Sequence, residues 1–438
     1  MDELHKKILG SITITPEIIE DIKKSVKHLV DFKKEINVYI DQNTTNLLDI
    51  ILFGAIHLGA SDVHLEPEEK KVRLRVRIDG ILHDTVFFEP AIYHNLLSRL
   101  KLVSKIKLNI TDKPQDGRFT IAVEDLLIEI RTSSLPAEHG ESIVMRILNP
   151  KNLIGLEALG LRKDLYQVFL KEIQKPNGMI IITGPTGSGK TTSLYAFLMK
   201  LQNREIKIIT IEDPIEYHLE GVSQTQVAPE KGYSFSEGLR SIVRQDPDVI
   251  LVGEVRDLET AKIALQAALT GHLVLSTMHT NDAPGTIPRL VDLGADTASI
   301  APAINMAIAQ RLVRKACKEC PTLEKPSKDQ LSEIKKTLKN IPDNVDFPRN
   351  FDEIKIAKTK EGGCENCNFS GYKGRKALYE AFLVDAEVEK FILTNPPVSA
   401  IKELAIKKGM ITMYQSGLIE VVLGITTLEE VKKVVGEE

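Results

Sequence analysis

Tryptophan is absent from this chain, and aromatic residues make up only 5% of it. A basic excess is absent too: 57 lysines and arginines stand against 61 acids, for a net charge of −4. With no aromatic-basic stripe and no global positive field, direct contact with nucleic acid is not expected, and any polyanion would need a local patch. Long apolar runs are missing as well. The best candidate, Leu47 to Ala60, is too short to span a bilayer and is interrupted by Asp49 and His57. Met1-Asp2-Glu3-Leu4 is acidic, with no basic segment leading into an apolar one, so no secretory signal is expected and the cytoplasm is the default compartment. Cysteine is scarce. Its four copies fall in two C-x-x-C pairs, which points away from a disulfide framework. What is present is ordinary for a globular protein: 42% hydrophobic and 27% charged residues in 438, enough for about three domains.

Residues 1–44 read as a short helical leader, with helical spacing from Pro16 to Phe32 at Ile18, Ile19, Ile22, Val26 and Leu29. Residues 45–150 alternate helix and strand signals, as expected of a small α+β domain. Leu47 to Leu58 fits an amphipathic helix. Val72 to Ile78 alternates apolar residues with Arg73, Arg75 and Arg77, a face that reads as solvated sheet surface, and Asp79-Gly80 supplies the turn to Ile81–Phe87. Pro150, Asn152 and Gly155 mark a linker at 151–159. From 160 to 310, apolar strand candidates recur at 179–183, 206–211, 249–253 and 272–277 with helical stretches between them. That is the pattern of an α/β domain with a parallel sheet. Residues 311–375 hold the cysteines around a Lys-rich insert with a helix at Lys328–Lys339, and 376–438 read as small helices.

The decisive feature is Gly184-Pro185-Thr186-Gly187-Ser188-Gly189-Lys190-Thr191, which fits G-x-x-x-x-G-K-[ST] at every fixed position. The β-branched run Met179–Thr183 delivers the loop, and Thr192–Gln202 continues it with apolar residues at helical spacing. Glycines let backbone N–H groups curl around phosphate oxygens, and the helix start faces the anion. These eight residues and Thr192 are therefore the nucleotide-binding candidates, with Lys190 on the β- and γ-phosphates and Thr191 on Mg²⁺. ATP and Mg²⁺ are the cofactors implied.

Asp248–Glu254 is an apolar strand ending in Gly-Glu, and Glu254 could orient the attacking water or bind Mg²⁺ through water. Glu212, Asp213 and Glu216 bring up to three more carboxylates to the same expected sheet edge. His272 opens the strand Leu273–Ser276 and His279 closes it; a histidine at a strand end serves structure or catalysis. Cys317, Cys320, Cys364 and Cys367 make two knuckles able to close a structural Cys₄ zinc site, with a redox pair or inert buried thiols as the alternatives.

Four motifs together resemble one family. Gly184–Thr191, IEDPIEY at 211–217, RQDPDVILVGEVRD at 244–257 and GHLVLSTMHTNDA at 271–283 look like the Walker A, Asp box, Walker B and His box of the ATPases that drive type II secretion and type IV pilus assembly, the GspE/PilB class. ASDVHLEP at 60–67, RIDG at 77–80, PQDGR at 114–118, RTSSLPAEHGESIVMRIL at 131–148, the cysteine pairs and GRKALYEAF at 374–382 extend the match over about residues 45 to 438. The resemblance implies an α/β fold: a RecA-like phosphate-loop core, preceded by a smaller PAS-like α+β domain and carrying a four-cysteine zinc module. It implies that Glu254 is the catalytic glutamate, with Glu212 and His279 beside it, and that Gly253 replaces the aspartate common in other phosphate-loop ATPases. Arg131 and Arg146 match arginines brought from the N-terminal domain toward the γ-phosphate, and Arg240 and Arg244 match a second basic pair. Arg118 is as well read as a structural ion-pair partner.

The same resemblance implies a homo-hexameric motor at the inner face of the cell membrane, attached through an inner-membrane platform protein and a cytoplasmic adaptor. Residues 1–44 are shorter than the docking domain of many relatives. A competence or DNA-uptake filament motor and a nucleic-acid translocase stand as alternatives; a hydrolysis-poor scaffold is opposed by intact Lys190, Thr191 and Glu254. A retraction motor is opposed by the cysteine module, which relatives of that kind lack.

Overall fold

The computed structural model describes residues 11–40 and 42–437; Met1–Leu4, read above for a signal, lie outside them. The chain forms two compact units. One takes the described residues up to Asn152 together with Cys317–Cys320 and Lys360–Lys373. The other takes Leu153–Ala316, Pro321–Thr359 and the chain from Gly374 onward.

The first unit begins with β1 (Ser11–Thr13), α1 (Pro16–Ser25), α2 (Leu29–Tyr39) and α3 (Thr44–His57). The apolar spacing that runs from Pro16 to Phe32 does not make one helix. The Asp31 carboxylate accepts the N–H groups of Lys27 and His28 at 3.2 Å and starts α2 afresh. Then follow β2 (Asp62–Pro67), β3 (Val72–Ile78), β4 (Ile81–Phe88), α4 (Pro90–Val103), β5 (Gln115–Val123), β6 (Leu126–Ala137) and β7 (Gly140–Leu148). The sheet order is β1-β5-β6-β7-β2-β3-β4, antiparallel except where β1 joins β5. Val72, Leu74, Val76 and Ile78 enter the core with the helices, as their alternation requires. Asp79 and Gly80 both take positive φ, which closes the two-residue hairpin. The arginine face of β3 is paired rather than simply solvated: Arg73 binds Glu68, and Arg75 reaches Glu66 at 2.5 Å.

In the second unit come α5 (Lys163–Ile173), β8 (Gly178–Thr183), α6 (Lys190–Leu201), β9 (Ile208–Glu212), β10 (Ser223–Gln226), α7 (Phe235–Val243), β11 (Val249–Val252), α8 (Leu258–Leu269), β12 (Leu273–Met278), α9 (Thr286–Asp292), α10 (Thr297–Ala303) and β13 (Ile304–Ala316). The insert adds β14 (Pro321–Glu324), α11 (Lys328–Leu338) and β15 (Ile356–Thr359). Beyond it lie β16 (Tyr372–Leu383), α12 (Ala386–Ile392), α13 (Val398–Lys407), α14 (Met413–Val422) and α15 (Leu428–Val435). The strand order is β10-β9-β11-β12-β8-β13-β16, and β10 through β13 run parallel.

Both faces of this sheet are covered. Ile180 and Ile182 of β8 share a core with α5 and α6, while Met179 and Ile181 share one with α7 to α10. Each fully buried aliphatic side chain of this kind contributes about 1.5–3 kcal/mol. The sheet outruns the expected 160–310, because β13 and β16 extend it. The reading of 376–438 as small helices is corrected accordingly: residues through Leu383 are strand, and helices begin only at Ala386. Tyr379 and Phe382 of that strand are buried in the sheet's cores, a demand of packing that local spacing does not reveal.

Candidate active site

β8 ends at Thr183 in the middle of the parallel sheet, and the loop Gly184–Gly189 leads directly into α6. Gly184, Gly187 and Gly189 all have positive φ. At Gly184 the reason is also steric, because the Gln310 carbonyl of neighbouring β13 lies where a Cβ would stand. Lys190 folds over the loop, its Nζ donating to the carbonyls of Gly184 at 2.7 Å and Pro185 at 3.1 Å. Burial draws the Lys190 ammonium below the ordinary lysine pKa; Glu254 opposes that shift and Arg311 adds to it. The Ser188 hydroxyl is buried in the cradle with no protein partner. Thr191 and Thr192 occupy the first turn of α6, where helix N–H groups are unpaired. Positive-φ glycines, an orphaned hydroxyl and a half-buried ammonium at a helix start fit a bound phosphate chain.

The adjacent strand ends complete the edge. Gly253 and Glu254 follow β11, with the Gly253 N–H donating to Ile211 O at 2.8 Å and Thr277 Oγ1 to Gly253 O at 2.7 Å. A Cβ at 253 would stand 3.3 Å from the Glu212 Cα and the Ile211 carbonyl, a tight approach to backbone that a glycine avoids. The Glu254 carboxylate pairs with Arg256 through one oxygen and lies 3.7 Å from His279 Nε2 through the other. His279 follows β12, as expected. His272 lies at the opposite end of that strand, its Nδ1 2.9 Å from Ala267 O, in a structural position.

Glu212 ends β9 but is buried, with three donors on its carboxylate: Tyr195 Oη, Thr210 Oγ1 at 2.6 Å and Gln224 Nε2 at 3.2 Å. Burial, then the neighbouring carboxylate, drives the Tyr195 hydroxyl's pKa upward. Arg240 pairs with Glu259 of α8 at 2.7 Å, and Arg244 donates to Ser241 at 3.3 Å, so neither is engaged with Glu254.

Sequence reasoning passed over several contributors. Thr183 receives both the N–H and the hydroxyl of Thr280, at 2.6 and 2.8 Å, and so ties the His279 loop to β8. Arg311 of β13 donates to Asn281 O at 3.0 Å, within electrostatic reach of Lys190. Arg256, two residues past Glu254, was legible as a charge at a strand end.

The first unit carries a row of charge. In register across five strands stand Arg118, Arg131, Arg146, Asp62 and Arg77. Asp62 is buried and holds two of them, Arg146 Nε at 3.2 Å and Arg77 Nε at 3.3 Å; Arg131 reaches Glu129 at 3.4 Å. Like charges opposite one another across strands oppose folding. Asp62 within the row and Glu129 beside it offset part of that cost.

The four cysteines, widely separated in sequence, converge. Their sulfurs all lie within 4.8 Å of one another, with Cys317–Cys364 and Cys320–Cys367 at 3.8 Å and Cys364–Cys367 at 3.7 Å. Zn–S bonds of about 2.3 Å in a tetrahedron require sulfurs about 3.8 Å apart. The N–H groups of Cys364 and Gly371 donate to Cys367 Sγ at 3.2 Å. The set could hold a metal ion.

A phosphate loop on a central parallel strand, with a glutamate on a nearby strand end, defines a nucleoside-triphosphate-hydrolysing enzyme of the phosphate-loop class. The model of the type II/IV secretion system protein family matches residues 40–433, and the chain belongs to that family. It is 38% identical over 98% of its length to type II secretion system protein E of Xanthomonas campestris pathovar campestris, covering 73% of that protein. It is 41% identical over 90% of its length to the type IV pilus assembly ATPase PilB of Pseudomonas aeruginosa, covering 68% of it. Among solved structures, the pilus retraction motor PilT with bound ADP superposes with a TM-score of 0.59 at 28% identity, over 88% of this chain and 96% of that one. The chain is thus an ATPase of the secretion and pilus class. Among the described residues no helix is long and apolar enough to cross a membrane.

Proposed function

We propose that this protein is a ring-forming, hexameric motor that hydrolyses ATP to drive pilin or pseudopilin subunits into a filament, for type II secretion or type IV pilus extension. It would act at the cytoplasmic face of the membrane on a platform protein and an adaptor. The observation that carries the chemistry is the Glu254 carboxylate, held between Arg256 and His279 at the strand edge that also carries Lys190.

The loop amides and Lys190 would bind the β- and γ-phosphates, and Thr191 would hold Mg²⁺, which neutralises charge on the phosphate oxygens. Glu254 would orient a water in line with the γ-phosphorus and accept its proton as the bond to the bridging oxygen breaks. Glu212, buried and fully hydrogen-bonded, would shape the edge rather than touch the nucleotide. Arg131 and Arg146 would meet the γ-phosphate from the first unit, with Arg240 and Arg244 as a further basic pair; the in-register row of Arg118, Arg131, Arg146 and Arg77 supports an anion-receiving role. Zn²⁺ on Cys317, Cys320, Cys364 and Cys367 would lock the knuckle. That module favours an assembly motor over a retraction motor.

The test is turnover with Mg²⁺-ATP. Lys190→Ala should abolish hydrolysis. Glu254→Gln should retain nucleotide binding and lose about 10²–10⁴-fold in rate. Wild-type turnover in Glu254→Gln would remove that carboxylate from the mechanism. In the source cell, deletion should abolish surface filaments or protein export, and which of the two is lost names the machine.

A further inference from the structure

Glu380 lies in the segment GRKALYEAF, which the catalytic reading leaves without a role. It sits on β16, only 1% exposed. A carboxylate taken out of water at this depth is retained only when its oxygens are satisfied. Both are. Oε1 accepts the Ala283 N–H at 2.7 Å and Oε2 accepts the Met413 N–H at 3.0 Å. Burial raises the carboxyl's pKa, while these two amides act to keep it charged.

The two donors belong to very different places. Ala283 lies in the loop that runs from His279 to Gly285 ahead of α9, and Met413 is the first residue of α14. The other anchors of that loop are Thr183 on β8, Arg311 on β13 and Asp282 within the loop itself. Glu380 alone among these anchors also grips the C-terminal helices. Both bonds run to main-chain N–H groups, so only a side chain with two acceptor oxygens completes the bridge. A glutamine would set its NH₂ against a donor.

We propose that Glu380 is a positioning residue that couples α14 to the His279 loop, so that the placement of the C-terminal helices sets the turnover of the site. This rests on reading Glu254 and His279 as the catalytic edge. His279 stands 3.7 Å from Glu254, and displacements of about 1 Å at such distances change rates by up to about 10²-fold. A partner that shifts α14 would act on hydrolysis through this carboxylate.

The bridge can be cut at its far end without touching Glu380. Met413 is the first helical residue, where proline is tolerated, and Thr412 before it is already extended at φ −67, ψ 160, as a residue preceding proline must be. Met413→Pro deletes the N–H, whereas Met413→Ala removes the side chain and keeps it. In the full-length protein, Met413→Pro should hydrolyse saturating Mg²⁺-ATP about tenfold more slowly than Met413→Ala, with affinity for an ATP analogue within about twofold. Amide exchange at 280–285 should speed up in the proline variant and not in the alanine one. Glu380→Gln should show the same two changes and serves if the proline variant fails to fold. Equal turnover in the two Met413 variants, or unchanged exchange at 280–285 in both Met413→Pro and Glu380→Gln, overturns the coupling. Wild-type turnover in Glu254→Gln would instead overturn the catalytic reading and leave the exchange result standing.

Discussion

Asp49 shows what a single buried charge does to this chain. It lies on α3, 4% exposed, with Oδ1 lacking any hydrogen-bond partner. Burial raises its pKa from 3.8 to about 6, against the opposing pull of Arg99. The folded state therefore binds this proton more tightly than the unfolded state. The stability it contributes is complete below about pH 4 and is lost as pH rises through 6. Above that, the carboxylate costs about 1–2 kcal/mol once partial solvation is allowed for. Asp49→Asn should raise the melting temperature at pH 7.5, with the difference vanishing near pH 4. A variant less stable than wild type at pH 7.5 would mean the charge has a partner that the fold depends on. Glu212 makes the complementary point. Its place at a strand end suggests chemistry, while its burial and three donors from α6, β9 and β10 support the proposed role of shaping the edge.

Among the elements, the cysteine knuckle has the clearest mechanical reach. Asn368, in the left-handed region at φ 49, takes the Leu29 N–H at 2.9 Å, the first residue of α2. An α-helix start has four N–H groups without helical partners, so this bond is both a cap and a tether. Protein purified without added metal should carry close to one equivalent of zinc. Chelation should speed amide exchange at 317–320, at 364–371 and at the start of α2, while ATP-analogue binding persists. Metal-free protein whose thiols all react rapidly would rule out the zinc assignment.

At the scale of the molecule, the arginine row bears on how hydrolysis becomes movement. A guanidinium on a unit separate from the phosphate loop can sense the γ-phosphate and change that unit's resting position when it leaves. Arg131→Ala or Arg146→Ala should therefore lower turnover far more than ADP affinity, because ADP lacks the phosphate in question. A purely structural role would instead lower the melting temperature, because Arg146 pairs with the buried Asp62 and Arg131 with the half-buried Glu129, and would leave turnover of the folded enzyme nearly unchanged. Silence at both positions would move the coupling elsewhere.

Short-range physics was legible from the residues alone. The β-branched runs became β8, β9, β11 and β12, the alternation at 72–78 became β3, and Asp79-Gly80 became its turn, because each signal acts over a few neighbours. The phosphate loop was equally plain, since glycines and a lysine at fixed spacing meet one chemical need. Strands β13 and β16 were not legible, nor was the break at His28, because neighbours across the sheet and a side-chain cap decide them. The same holds for Thr183, Arg311 and Glu380, whose partners are 97 residues away for Thr183 with Thr280 and for Glu380 with Ala283, 33 for Glu380 with Met413 and 30 for Arg311 with Asn281. Sequence determined which chemistry this chain carries. Packing decided which carboxylate is buried, which is left beside a histidine at the sheet edge, and which arginines line up, because burial and register are properties of neighbours that only the folded sheet assembles.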